Sequence, residues 1–222
     1  MIGNNVDSMK LFNIDCVECP RILEHLKDVR YDFPGYHARP VPAFGVVSPR
    51  LLIVGLGPGM HGANATGRPF TGDFAGILLY ETLYKYGFSN KASSINVDDG
   101  LLLNDCRITN AVKCLPPANK PTTTEVKTCN HYLQSEIKAL SGELVILALG
   151  GIAHNAVMQA LKLRKKDYPF GHNVLHNLSE GQYLIDSYHC SRYNTQTKRL
   201  TEKMFHEVFD NIHELLGVTN KL

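Results

Sequence analysis

Arg50-Leu-Leu-Ile-Val-Gly-Leu-Gly-Pro-Gly59 is the stretch that decides the fold. Four consecutive apolar residues run straight into a glycine-rich turn. A run with no polar alternation fits a strand buried on both faces, as in a parallel sheet covered by helices. A second such run is Leu144-Val-Ile-Leu-Ala-Leu149, and Arg107-Ile-Thr-Asn-Ala-Val112 and Tyr183-Leu-Ile-Asp-Ser-Tyr188 are two more β-like segments. Helical patterns alternate with them. Asp73 to Tyr86 carries Phe74, Ile77, Leu78 and Tyr84 at helical spacing. Thr123 to Leu140 opens Thr-Thr-Glu and places Val126, Cys129, Leu133, Ile137 and Leu140 on one face. Ile152 to Leu161 enters through Gly150-Gly151, and Thr197 to Leu216 turns Leu200, Met204, Val208, Ile212 and Leu215 inward before stopping at Gly217.

Strand–helix alternation of this kind requires right-handed crossovers. The expected fold class is therefore α/β: a three-layer α/β/α sandwich around a mainly parallel four-stranded sheet. Residues 1–222 are expected to form a single domain, with residues 1–49 as an N-terminal arm rich in Pro and His, and Gly171 to Gly181 as a long loop.

Composition narrows the function classes. The 222 residues are 44% hydrophobic and 20% charged, a globular balance. The longest clean apolar run, Leu144 to Leu149, is far short of the ~20 residues of a spanning helix, and Met1 to Asp15 lacks a signal-peptide core. A cytoplasmic protein with no membrane partner is the expectation. The net charge of +2 does not announce a nucleic-acid binder. It is unevenly spread, however, with the excess of Lys and Arg in the second half, above all between Lys162 and Arg199.

In a doubly wound sheet, ligands bind beyond the carboxyl ends of the strands. Three polar segments fall there: Gly55 to Asp73, Asn110 to Lys113, and Tyr188 to Asn194. Six glycines between Gly55 and Asp73 make a backbone-lined loop open to a ligand. It is not a dinucleotide fingerprint, because Met60 stands where the third glycine belongs, and no Gly-Lys-Ser/Thr follows as in a Walker loop. Asp73 suits a helix N-terminus and could equally serve a site. A lone His189 is more often packed than functional, but its neighbours raise its interest. Asn110 at a strand end could brace a loop or read a planar polar ligand with its amide.

Six cysteines in a leaderless chain point away from a secreted disulfide scaffold. Cys16 and Cys19 form a CxxC, Cys114 follows the second strand, and Cys129 lies on the inward face of the next helix. Four thiolates hold either zinc or an iron–sulfur cluster, and spacing alone leaves the two even. Cys106 and Cys190 read as buried apolar residues.

The stretch Gly55-Leu-Gly-Pro-Gly-Met-His-Gly62 with Thr66-Gly-Arg-Pro-Phe-Thr-Gly-Asp73 resembles the first motif of the uracil-DNA glycosylase superfamily, most of all its family 5, with family 4 next. Thr109 to Pro117 is similar to the second motif, and Tyr188-His-Cys-Ser-Arg-Tyr-Asn194 with Thr195 to Thr201 to the third. Cys16, Cys19, Cys114 and Cys129 match the cluster ligands of families 4 and 5.

The resemblance implies a structural [4Fe–4S] cluster and a monofunctional glycosylase of base excision repair. Such an enzyme hydrolyses the N-glycosidic bond of uracil, or of other deaminated bases such as hypoxanthine, flipped out of DNA. It implies Phe70 stacking on the base, Asn110 on its Watson–Crick edge, His189 stabilising charge on O2, and Asp73 on the sugar side. Gly57, Gly59 and nearby Gly62 would line the pocket. Arg192 and Tyr193 would enter the duplex, and Lys198 and Arg199 would meet phosphates. A monomer acting on DNA that contains deaminated bases, in a bacterial or archaeal cytosol, is the expected setting.

Three departures from the family pattern stand out. Leu56 occupies the place where other families carry an acid or amide, Gly57 and Gly59 replace typical alanines, and Cys190 replaces a typical proline. A catalytically inactive iron–sulfur or zinc nucleic-acid-binding protein is the alternative reading. A phosphate-binding α/β enzyme is disfavoured by the broken fingerprint.

Overall fold

The computed structural model describes residues 12–218; the first eleven residues of the expected arm lie outside it. The elements run α1 (Pro20–Asp32), β1 (Phe44–Gly45), β2 (Leu51–Gly55), α2 (Ala63–Thr66), α3 (Phe74–Lys85), β3 (Cys106–Asn110), α4 (Thr123–Lys138), β4 (Leu144–Leu149), α5 (Gly151–Ala160), β5 (Leu175–Ser179), β6 (Gln182–Ser187), α6 (Arg192–Gln196) and α7 (Glu202–Leu215).

One sheet, in the order β1-β3-β2-β4-β6-β5, carries them all. Strands β3, β2, β4 and β6 are parallel neighbours, the four expected from the apolar runs. The sheet has six strands rather than four, because short antiparallel strands close both edges: β1 against β3 and β5 against β6. Every residue of β2 and β4 is buried. Helices α3 and α7 cover one face through Leu79, Leu83, Phe205 and Phe209, and α4 and α5 cover the other through Leu133, Ile137, Ala153 and Val157. The sandwich thus has three layers.

Several expectations change. Gly171 to Gly181 is not a loop throughout, since β5 lies within it. Its side chains alternate between exposed and half-buried, the mark of an edge strand, but His and Asn between two leucines hide that alternation in the sequence. The arm contains α1, which starts on Pro20 at its first turn and buries Ile22, Leu26 and Val29 against Ala38 and Leu115.

The last helix begins at Glu202, not Thr197. Thr201 caps it by accepting the Met204 N–H at 3.2 Å, and α6 is a separate turn before it. In α3 the inward face is Gly76, Leu79, Tyr80 and Leu83; of the residues noted at helical spacing, Ile77 and Tyr84 are exposed. An almost uniformly apolar helix has little periodicity to reveal which stripe faces the sheet. α4 has the expected start, with a full capping box between Thr122 and Glu125.

Candidate active site

A cleft of about 440 Å³ opens beyond the carboxyl ends of β2 and β6. Its walls include Leu56, Gly57, Gly59, Phe70, Asp73, Phe74, Asn119, His189, Ser191 and Arg192. Two of the three predicted segments therefore meet on it directly, and the β3 segment stands behind the wall and contributes Asn119 through its continuation.

The glycine loop is fixed by packing as well as by its glycines. Phe70 has φ of 55°, in the left-handed region that a bulky residue seldom enters. Its surroundings hold it there. The Arg68 guanidinium, itself buried, binds Asp99 through two contacts of 2.6 and 3.1 Å and reaches Ser94 and Thr71. The Tyr80 hydroxyl donates to the Pro69 carbonyl at 2.7 Å. Gly76 lies so close under the Phe70 carbonyl that no Cβ fits there. Burial works against the Asp99 charge, yet Arg68 and the N–H groups of Leu101 and Ile95 hold its carboxyl well below the usual range.

Asp73 does two things at once. It is the N-cap of α3, where Oδ1 accepts the Gly76 N–H at 2.8 Å. Its other oxygen, Oδ2, packs against Gly62 and has Gly59 as its neighbour on the cleft wall. Burial raises its pKa, and the N–H groups of Gly76 and Ala75 oppose that rise without cancelling it. Gly62 is buried against the Asp73 side chain and leaves no room for a Cβ, so it braces the carboxylate rather than lining the cleft.

His189 comes from the turn after β6. Its ring stacks on Phe70 at 5.9 Å between centroids and 28° between planes. Burial pushes its pKa down to about 4, so the imidazole is neutral at physiological pH. Asn194 steadies the turn by donating to the His189 carbonyl at 2.8 Å. Ser191, which sequence reasoning passed over, lines the cleft and caps α6 by accepting the Asn194 N–H.

Asn110 is not on the open wall, as its assigned role would suggest. It is 2% exposed at the end of β3, where its Oδ1 and the Phe70 ring both crowd Gly55. Its Oδ1 has no hydrogen-bond partner, an expensive arrangement for a buried amide and therefore a sign of an acceptor kept for something else. Asn119 was not anticipated; it reaches the cleft in a left-handed conformation, with φ of 55°, after Pro116-Pro117. Arg192 borders the cleft with its guanidinium 4.9 Å from the Phe74 ring centre. Tyr193 is 70% exposed beside it. Lys198 and Arg199 are exposed but outside the cleft, and Arg199 lies over Tyr188 at 4.7 Å.

A second pocket gathers Cys16, Cys19, Cys114 and Cys129 from three segments far apart in sequence. All four are free thiols. Burial raises the pKa of Cys19, Cys114 and Cys129, the last to about 11, and the neighbouring sulfurs raise each of them further. The Lys113 N–H donates to the Cys129 sulfur at 3.3 Å. Crowded, half-buried thiols with a backbone donor aimed at one sulfur fit a group that takes them as thiolates, whether zinc or an iron–sulfur cluster. Cys106 and Cys190 are fully buried in the core, as expected.

The arm also touches the glycine loop. The His37 and Ala38 N–H groups donate to the carbonyls of Ala65 and Asn64 at 3.0 and 2.9 Å. The Tyr36 hydroxyl meets His61 Nδ1 at 2.8 Å.

The uracil DNA glycosylase superfamily model matches residues 42–213. The chain is 44% identical to a type-5 uracil-DNA glycosylase of Thermus thermophilus, over 91% of this chain and 94% of that one. It is 40% identical to a type-5 uracil-DNA glycosylase of Mycobacterium bovis, over 91% of this chain and 79% of that one. Similarity to a type-4 uracil-DNA glycosylase of Thermotoga maritima is 38% over 49% of each.

Proposed function

The chain belongs to the uracil-DNA glycosylase superfamily and is a hydrolase that removes uracil from DNA in base excision repair; we propose that the cleft between the glycine loop and the His189 turn performs this step. The observation that carries the assignment is the convergence of a free Asp73 oxygen, a neutral His189 and the Phe70 ring on one cavity.

The target nucleotide must leave the stack before its glycosidic bond is reachable, at a cost of about a few kcal/mol that is least for a mispaired base. A G·U pair left by cytosine deamination is therefore a favoured target, and hypoxanthine is a candidate for the same pocket. Phe70 offers its ring to the base. Asn110 Oδ1 lacks a partner but lies off the open wall, so it would accept from the N3–H of uracil only once the Phe70 ring has given way to the base. As the bond breaks, the base takes the electron pair and its O2 becomes anionic. A neutral His189 donates a hydrogen bond there through its single N–H and keeps its proton. The sugar becomes cationic, and Asp73 faces it with a carboxylate that stabilises this charge or orients the attacking water. Leu56 lines the wall and can do neither. Arg192 on the cleft rim and the exposed Tyr193 would meet the duplex.

Cys16, Cys19, Cys114 and Cys129 would hold a [4Fe–4S] cluster, which would supply a structural cross-link rather than a step of the reaction. Lys113 orients Cys129 through its N–H, and the Lys113 ammonium is held beneath by Glu136 at 2.8 and 3.0 Å and by Thr109. The protein is proposed to act as a monomer. Among the described residues no helix is long and apolar enough to cross a membrane.

The test is a duplex carrying one uracil. Free uracil and an alkali-labile abasic site, without strand cleavage before alkali, are expected. Binding of that duplex with no base released would overturn the assignment in favour of a catalytically inactive nucleic-acid-binding protein.

A further inference from the structure

On the α4/α5 face of the sheet, away from the cleft, His154 of α5, His176 of β5 and Asp186 of β6 form a buried group whose ligand atoms lie within 4.8 Å of one another. Asp186 is fully buried, and the His154 and His176 side chains are 2% and 9% exposed. One carboxylate oxygen is satisfied: Asp186 Oδ1 meets His154 Nδ1 at 2.9 Å. The other is not. Asp186 Oδ2 and His176 Nε2 face each other at 3.5 Å, and neither makes a hydrogen bond.

A hydrogen-bonded His–Asp–His relay would use both carboxylate oxygens, and a buried carboxylate left half-satisfied is costly. Two donor atoms about 3.3–3.5 Å apart are instead what a first-row metal ion holds, at bond lengths of ~2.0–2.2 Å and tetrahedral angles. Phe170 and Tyr168 close around the two histidines, with ring centres 5.7 and 5.6 Å away. They supply the apolar shell usual around a bound metal. None of the three residues lines the cleft.

We propose that His154, His176 and Asp186 bind a divalent transition-metal ion, with zinc the best match to two imidazoles and one carboxylate. The ion would clamp edge strand β5 to α5 and β6, three residues before His189. This site stands independently of the glycosylase assignment.

The experiment uses the full chain with its cysteine site loaded as isolated, stripped of loosely held metal. Zinc is titrated by equilibrium dialysis with elemental analysis, and its ligands are read by zinc-edge X-ray absorption. Beyond whatever the cysteines hold, one zinc per chain is expected, with N/O neighbours at about 2.0–2.2 Å and no sulfur near 2.3 Å. His176→Gln, at the sheet edge, should weaken binding by about tenfold or more while uracil excision is retained. Asp186→Asn should do the same where it folds. Sulfur-only coordination, no binding in the micromolar range, or unchanged affinity in folded His176→Gln would each overturn the proposal.

Discussion

The free oxygen of Asp73 faces Gly59: a Cβ built on that glycine would lie 3.5 Å from Oδ2, an ordinary contact, with nothing else within 4 Å. Gly59→Ala should therefore fold normally and narrow the cleft beside the carboxylate. Uracil excision should change little, and a bulkier deaminated purine should lose about tenfold or more in kcat/KM. Single-turnover rates on matched uracil and hypoxanthine duplexes check this. Gly57→Ala behaves differently, because its Cβ would come within 2.7 Å of Val112 Cγ2 and that side chain must move.

Asp73 separates into a structural and a chemical half. Asp73→Asn keeps an oxygen for the Gly76 N–H, so the melting temperature should barely fall. Asp73→Ala also loses the cap, at about 1 kcal/mol. Both should lower the excision rate by about 10²–10⁴-fold with DNA binding retained. A fully active Asp73→Asn would remove the carboxylate from the mechanism.

The two titrating groups of the cleft move in opposite directions. Burial raises Asp73 and lowers His189 to about 4. The acid limb of the rate profile should then contain the protonation of Asp73 and lie above the usual aspartate range. For stability the sign follows from proton uptake. Below about pH 6.5 the unfolded chain protonates this histidine while the folded chain resists down to about pH 4. Its stabilising contribution is therefore present above pH 6.5 and lost through that interval. Urea midpoints from pH 7 to 4 should fall more steeply in the parent than in His189→Gln.

Cys114→Ser should abolish a brown chromophore near 400 nm and release iron and sulfide, and it should loosen the arm. Limited proteolysis is expected to shift to residues 12–40. Activity should fall less than in the Asp73 variants, because the arm supports the loop without touching the base. A colourless parent protein carrying sulfur-bound zinc would refute the cluster.

Arg192→Ala should weaken duplex binding by a similar factor on any sequence and lessen the salt dependence by about one unit of slope. Fluorescence anisotropy across a salt series reads both.

The sheet was legible where burial is complete. Strands β2 and β4 have no polar face, so their runs in the sequence are unbroken. The edges were not legible: Phe44–Gly45 and Leu175–Ser179 are short, half-exposed strands that exist only because β3 and β6 offer open edges. The cleft residues Asp73, His189, Phe70 and Gly59 followed from motif order and lie together. Asn119 did not follow, since its place depends on a left-handed turn after two prolines. The burial of Asn110 beside Gly55 is a matter of tertiary depth, which spacing along a strand does not encode. The His154–His176–Asp186 group was invisible for a similar reason: its members lie on three elements and share no spacing.

The four clustered cysteines straddle the heart of the chain. Two precede β1, while Cys114 and Cys129 arrive only after β2, α3 and β3 have been laid down. A group bound by all four can be seated only when these distant segments have already met. Its arrival would then come late in folding and favour chains that have already paired β2 with β3. Scarcity of that group would lower the amount of finished protein rather than the turnover of each molecule.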